Sequence, residues 1–501
     1  GAFARDGFPE FHVGDFDGDG RSDIFMKTLE NTSVKWKIFH LNTGANFNLL
    51  TSIKNGFGAQ TDLDYKTIVN GGPSVYENNN VSGDLIQNAK FPLNVVTKLT
   101  EPSGKANEVM NVTYKYEGAQ IHRKGKGFLG FDKVISFNDI SRVRTETIFN
   151  LNTEYYEKTP FQSRKFLMPD QGNESLLEME EYTYSYVPPI STADKSHSVY
   201  LTEKTNRNYK TGNNTKLHDV VFDYSNGTLM SQKTSVNSPN RLDYELIEED
   251  NSYHASLTGK WLMDSHTIKT TRYGEVPYSR QTTYDYWPGD ALKTVTTDPA
   301  FPKKVVTDYI INTDLGLLTQ TTVSSPGAAG IHSMVTKIDK YDEKYRFAIR
   351  TKNNLDQVSE VQYNPMWGVP IYEKGVDGLV KQYKYDGFGH CLKTLHPNNL
   401  SILSRLEWVQ TGDVGNEPIN VDNALYKLTT TSTDAPTSIV YYDFLGRPVK
   451  SETDGFHKTQ GMSNKIYSVK EYDSRGNVAK EVKNYDASAF NNDTYIITAY
   501  T

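Results

Sequence analysis

Along most of the chain, apolar and polar positions alternate with a period of two. In Val220-Val221-Phe222-Asp223-Tyr224 that alternation puts Val220, Phe222 and Tyr224 on one face and Asp223 on the other. Similar runs at 305–309, 360–363, 380–385 and 439–442 are bounded by Gly, Asp, Asn or Pro, the pattern of one hairpin following another. A slip of one residue in pairing would turn each apolar face to water, so the register is strongly specified. Helical periodicity is nearly absent. Its best candidate is Glu174 to Glu181, one or two turns before the alternation of Tyr182, Tyr184 and Tyr186 takes over, and that piece also reads as strand. The expected fold class is all-β.

The pattern is punctuated by a recurring turn. Tyr383-Lys384-Tyr385-Asp386-Gly387-Phe388-Gly389, Tyr441-Tyr442-Asp443-Phe444-Leu445-Gly446 and Tyr472-Asp473-Ser474-Arg475-Gly476 share Tyr-Asp with Gly three residues after the Asp. Looser copies stand at Tyr284-Asp285, Tyr341-Asp342 and Tyr363-Asn364, and Tyr341, Tyr363 and Tyr385 are 22 residues apart, within the range of repeat architectures. The Asp carboxylate can accept from backbone N–H groups two residues on, and the Gly takes a positive φ that other residues resist. The Tyr packs on the neighbouring hairpin while its hydroxyl reaches polar groups. A single hairpin is marginal, but hairpins laid side by side cover each other's edges.

Composition agrees and adds exclusions. The 501 residues hold 33 Tyr and 22 Phe but only 5 Trp, with 36 Gly, which suits strands broken by turns. Lys and Arg number 54 against 61 Asp and Glu, a net charge of −7 with no basic block, which argues against nucleic acid or an anionic membrane as partner. No apolar run approaches the ~20 residues of a membrane-spanning helix. The single cysteine, Cys391, excludes an internal disulfide and a cysteine-based zinc site. Composition shifts suggest three segments: 1–60, holding an Asp/Gly-rich loop; 61–215, mixed; and 216–501, repetitive.

The sharpest chemical signal is the loop Asp15-Phe16-Asp17-Gly18-Asp19-Gly20-Arg21-Ser22-Asp23. Asp15, Asp17, Asp19 and Asp23 offer oxygens at positions 1, 3, 5 and 9, and Arg21 a backbone carbonyl at position 7, a set able to wrap calcium. Position 12 is Met26 rather than Glu and both flanks read as strand, so the expectation is a strand-loop-strand calcium site and not an EF-hand. The alternative is an Asp/Gly-rich turn without metal.

From Gly14 to Asp23 the loop resembles the FG-GAP or VCBS repeat of β-propeller blades, and Val34 to Phe39 with Asn42-Thr43-Gly44 resembles the rest of one blade. Further on, Asn55 to Thr61, Phe91 to Val96, Tyr114 to Ala119 and Gly125 to Phe131 resemble the middle region of toxin-complex B components. With the Tyr-Asp turns behind them, the order resembles that of RHS/YD-repeat proteins. The resemblance implies a propeller-like blade (1–60), a β-rich middle domain (61–215) and a YD-repeat β-hairpin shell segment (216–501), a partial cocoon. It further implies a secreted or cell-surface protein, structural and not an enzyme. Its shell would enclose a C-terminal toxin or effector polypeptide, with secretion or delivery machinery as a further partner. No self-cleaving core motif and no divergent tail is seen, so the chain is expected to be the amino-proximal part of a longer polypeptide or of a two-chain shell. The rival reading is an adhesion or glycan-binding scaffold with Trp36, Trp261, Trp287, Trp367 and Trp408 as sugar platforms.

Other constellations read as structural. Asp386, His390 and Cys391 lie too close together for a thiol nucleophile whose base should stand across a cleft. Glu248 and Glu249 would point to opposite faces of a strand and read as a solvated loop rather than a glycosidase pair. Arg123, Lys124 and Lys126 interleave Gly125 and Gly127, but with no Gly-Lys-Ser/Thr and no following helix they read as a turn. The eleven His residues show no zinc-hydrolase spacing.

Overall fold

The computed structural model describes residues 11–17, 22–30, 33–40, 49–79, 83–105, 108–187, 197–209, 216–225, 228–237, 244–256, 259–327, 330, 333–415, 417–419, 421, 423–455, 465–486 and 496–500. Among them the regular structure is β-strand throughout, apart from a single 3-10 turn at Pro397–Asn399. The chain is all-β. The helical alternative at Glu174 to Glu181 is corrected, since Ser175–Val187 is one 13-residue strand. Its glutamates are satisfied across the ladder, Glu178 by Lys165 at 2.7 Å and Glu180 by Lys204 at 2.7 Å, as an isolated helix could not arrange. The chain forms two compact units, 1–217 with 472–477, and 218–471 with 478–501.

In the first unit, Phe11–Gly14, Asp23–Glu30 and Ser33–Phe39 make a three-stranded antiparallel sheet with Phe11 opposite Met26 and Ile24 opposite Phe39. A second small sheet joins Ile86–Asn88, Gln120–His122 and Gly127–Gly130. The main sheet runs from Ser52–Lys54 through Gln60–Thr67, Asn94–Pro102, Val109–Glu117 and Lys133–Asn138 to the long hairpins ending at Ser198–Asn208. Its core is small: Ile68, Val75, Ala89, Val95 and Ala119, with Tyr116 and Phe131 packed against them. A buried joint ties this core to the sheet. Lys158 Nζ donates to Asp132 Oδ1 at 2.6 Å, and Asn79 and Gln120 donate to Asp132 Oδ2.

The late segment 472–477 completes the first unit. Gly104 N–H donates to Ser474 O at 3.0 Å, and Ser474 Oγ donates to Glu108 at 2.7 Å. The fit requires glycine, because a Cβ on Gly104 would lie 2.3 Å from Asp473 O and 2.4 Å from Gly476 N.

The second unit is a meander in which each described strand pairs antiparallel with its sequence neighbours, from Thr228–Asn237 through Glu245–Ala255 to Ile497–Ala499. The turns explain the repeat. At Asp386, Asp443 and Asp473 one carboxylate oxygen accepts two backbone N–H groups, from the residues two and four positions on. The residue three on is glycine with φ of 88°, 78° and 86°, respectively. Asn55 plays the same part ahead of Gly58 in the first unit, and Asn364 makes a variant in which its side-chain oxygen accepts from the residues two and three on and Gly368 follows as the fourth. The copy at Tyr284-Asp285 departs from this expectation. Asp285 lies in the ladder opposite Thr294, and the chain turns later, where Trp287 N–H bonds Ala291 O.

Four of the turns are preceded by a β-bulge at the tyrosine, with register shifts between Lys340 and Tyr341, Gln362 and Tyr363, Lys384 and Tyr385, and Tyr441 and Tyr442. A bulge re-aims one side chain. Tyr341 Oη thereby donates to Leu318 O at 2.6 Å and Tyr385 Oη to Pro370 O at 2.7 Å, each bond reaching the preceding hairpin. Where the hydroxyl is not so used the rings stack, Phe347 on Tyr363 at 4.7 Å and Tyr426 on Tyr442 at 5.1 Å.

Candidate functional site

Alternation in a meander buries one face only if something lies on it. Between 218 and 418 no described apolar residue is buried, and the buried apolar side chains of the second unit begin at Ile419. Between 218 and 418 the sheet is therefore one layer thick, with half-exposed side chains on both faces. Such a sheet can separate two volumes.

One stretch of the second unit is covered. The described residues between 409 and 425 follow strand Ser401–Trp408 and lie against the face that carries Lys427, Tyr441 and Lys450, which stand opposite one another in successive strands. Lys450 Nζ, in a side chain only 3% exposed, contacts Glu417 at 2.6 Å and Glu452 at 2.8 Å and donates to Val414 O at 2.6 Å. The Tyr441 and Tyr467 rings lie 5.1 and 5.0 Å from the same ammonium. Tyr485 donates to Glu417, Tyr441 to Glu452 and Lys427 to Asp413, so a cavity of about 600 Å³ is ringed by paired charges. Burial works to raise the Glu452 carboxyl, yet hydrogen bonds from Lys450 and Lys465 bring it below its ordinary value. Burial, with Glu452 beside Tyr441 and Glu417 beside Tyr485, pushes both phenols up. The bonds of Lys450 to Glu417 and Val414 O, of Lys427 to Asp413 and of Tyr485 to Glu417 hold the crossing segment to the sheet.

In the small sheet near the amino end, Asp17 and Asp23 meet His40. His40 Nδ1 lies 3.1 Å from Asp17 Oδ2 and 3.2 Å from Asp23 Oδ1, and Asp23 is buried with its other oxygen accepting the Phe16 N–H. The three donor atoms lie within 4.8 Å of one another, close enough to share a cation. Asp15 is described but is not one of the three; Asp19 and Arg21, also expected as ligands, lie outside the described residues. Two carboxylates suit calcium, and the imidazole broadens the donor set toward softer divalent ions. His40 was not a candidate from sequence. The signal was the hairpin register: Ile24 faces Phe39, so the next position brings His40 beside Asp23.

The remaining constellations have structural roles. Asp386 Oδ2 meets His390 at 3.1 Å while its Oδ1 holds the turn, and exposed Cys391 directs its thiol to Lys393 O and Thr394. Glu248 and Glu249 lie in strand Glu245–Ala255 rather than a loop, with Glu248 between Lys233 at 2.9 Å and Lys269 at 3.0 Å. Arg123 to Lys126 form the expected turn, between the strands Gln120–His122 and Gly127–Gly130.

Residues 4–163 match the family model described as the insecticide toxin TcdB middle/N-terminal region. That match covers about a third of the chain. In fold, the chain is similar to a crystal structure of TcdB2-TccC3 without the hypervariable C-terminal region, with a TM-score of 0.66 and 10% identity over 95% of this chain and 35% of that one. It is similarly related to a TcdB2-TccC3-Cdc42 structure, with a TM-score of 0.65, 10% identity and the same two coverages. A Photorhabdus luminescens Tc holotoxin pore aligns with a TM-score of 0.62 and 9% identity over 98% of this chain and 38% of that one. The chain thus spans about a third of the length of the solved chains it matches. No curated protein sequence matches it. Its amino-proximal third and its fold are like those of toxin-complex B components. Among the described residues no helix is long and apolar enough to cross a membrane.

Proposed function

We propose that this chain is a wall segment of a hollow β-shell that encloses a C-terminal toxin or effector polypeptide and holds it away from solvent until delivery. The observation that carries the reading is the single-layer meander, whose faces between 218 and 418 bury no described apolar side chain. A wall needs lateral cohesion and no core, and the bulged tyrosines supply it by bonding hairpin to hairpin. The match of 4–163 to a toxin middle region and the fold likeness to TcdB2-TccC3 support the same role. Calcium in the acidic loop would stiffen a propeller-like blade, and the Tyr-Asp turns would be YD repeats of a secreted protein. The role is mechanical, so no catalytic residue is assigned.

The test uses the full-length polypeptide together with its cargo. A density map should show an internal volume, and the cargo segment should survive a protease that digests it when free. A solid interior, or a cargo cut at the free rate, overturns the proposal.

A second reading, a glycan-binding scaffold, draws on exposed indoles: Trp36, Trp261 and Trp408 are 47%, 52% and 58% exposed. Trp367 is 38% exposed, and Trp287 is half-buried with its Nε1 donating to Tyr309 O. A glycan array without signal above background would end this alternative.

A further inference from the structure

The small sheet Gly127–Gly130, Gln120–His122, Ile86–Asn88 has an open edge. Arg123 N–H donates to Leu85 O and Ala89 N–H to Ala119 O, so residues 85, 87 and 89 turn their backbone groups toward the central strand. By the antiparallel alternation, the N–H and C=O of Ile86 and Asn88 point the other way, and no described strand pairs with them. An unpaired edge is a template for another strand.

The edge runs along a groove of about 690 Å³ lined by Asp84, Gln87, Asn88, Lys90, Phe91 and Arg123, among others. In a chain of net charge −7, the two cations of this groove have no carboxylate partner among the described residues, and the nearby hairpin tip adds Lys124 and Lys126. Phe91 and Phe128 stand half-exposed against each other, edge to face at 5.9 Å. The side-chain oxygen of Asn88 is buried with no hydrogen-bond donor. Asp84 sets one carboxylate against the two cations, so the place offers backbone groups to a strand, a net positive charge of one to a carboxylate and an aromatic pair to an apolar side chain.

We propose that this edge docks an extended acidic peptide segment of a separate polypeptide, which adds as a fourth strand beside Ile86–Asn88. Main-chain bonds to Ile86 and Asn88 give affinity, and alternate side chains toward Lys90, Arg123 and Phe91 give selectivity for a carboxylate next to an aromatic or aliphatic residue. The site stands independently of the shell reading, since it needs only the small sheet.

A phage-displayed library of random octapeptides is panned on the full chain, and the enriched peptides are synthesised with a fluorescent label for anisotropy titration. Enrichment of acidic, β-prone sequences is expected, with amide-exchange protection appearing at Ile86 and Asn88 when peptide is bound. Asn88→Pro removes an outward N–H and leaves the inward ladder intact, and Arg123→Glu reverses the charge. Each should weaken binding roughly tenfold or more at an unchanged melting temperature. Lys124→Glu, at the tip but outside the groove, should weaken it far less. The proposal is overturned if enriched peptides show no acidic bias, if Asn88→Pro binds like the parent, or if Lys124→Glu is as damaging as Arg123→Glu. Self-association that Asn88→Pro abolishes would instead assign the edge to a second copy and also overturn it.

Discussion

Replacing Lys450 by Met should detach residues 409–425 from the sheet they cover. Lys450 directs all three ammonium hydrogens to strap or sheet acceptors, at Glu417, Glu452 and Val414 O. Removing one member of a buried charge cluster costs about 3–5 kcal/mol, because the carboxylates left behind remain buried and uncompensated. The loss here falls near the lower bound, about 3 kcal/mol, since Glu452 keeps Lys465 at 2.9 Å and Glu417 keeps the Tyr485 hydroxyl. That corresponds to roughly a 150-fold rise in the opening constant of the segment. Native-state amide exchange and limited proteolysis read this directly, because both report local opening rather than global unfolding. A triple variant with Glu417→Gln and Glu452→Gln added should recover at least half of the loss, its glutamines being neutral. The pH profile follows from the depressed carboxyls of Glu452 and Asp413, the latter held down first by Lys427 and then by the Gln410 N–H. A depressed folded pKa contributes stability above the unfolded value of about 4 and loses it as pH falls through the lower folded value. Protection should therefore be flat from neutrality down to about pH 5 and fall only below about pH 4. An opening change under about 1 kcal/mol for Lys450→Met, or a midpoint near pH 6, would refute the reasoning.

Other substitutions separate the remaining elements. Asp443→Ala should cost about 3 kcal/mol, because the fully buried carboxylate holds two N–H groups and Arg447 at 2.6 Å. Asp386→Ala, at an exposed turn, should cost visibly less, and denaturant titration of both variants checks the order. Tyr341→Phe removes one hydroxyl bond to Leu318 O and should cost about 1 kcal/mol by the same measurement, whereas a neutral result would show that the bulge serves packing alone. Chelation should lower the melting temperature of the small amino-terminal sheet, and the double variant Asp17→Asn with Asp23→Asn should abolish that response. Identical melting curves with and without chelator would remove the calcium site.

Period-two alternation is enough to read the meander, and the Tyr-Asp-x-x-Gly spacing is enough to read its turns, because both are local consequences of backbone geometry. Even so, Tyr284-Asp285 shows that the dipeptide does not make the turn. Asp285 stays in the ladder opposite Thr294, whereas Asp342 turns with Tyr345, at φ 58°, where the turns at Asp386, Asp443 and Asp473 have glycine. The glutamates before Tyr182 look helical when read alone, and only the lysines on neighbouring strands decide the matter. His40 and Lys450 were invisible for a shared reason. Alternation says which face a side chain takes, but not what lies over that face, and neither the hairpin register at Ile24 and Phe39 nor the crossing of 409–425 leaves a local mark.

Gly104 seats against residues that follow it by some 370 positions. On a ribosome the first unit must wait for most of the second to be made before that loop finds its place, and contacts of such long range form slowly. A nascent chain halted before Tyr472 would carry an unfinished first unit however well its own strands had paired, which couples completion of that unit to synthesis of a segment lying beyond most of the second.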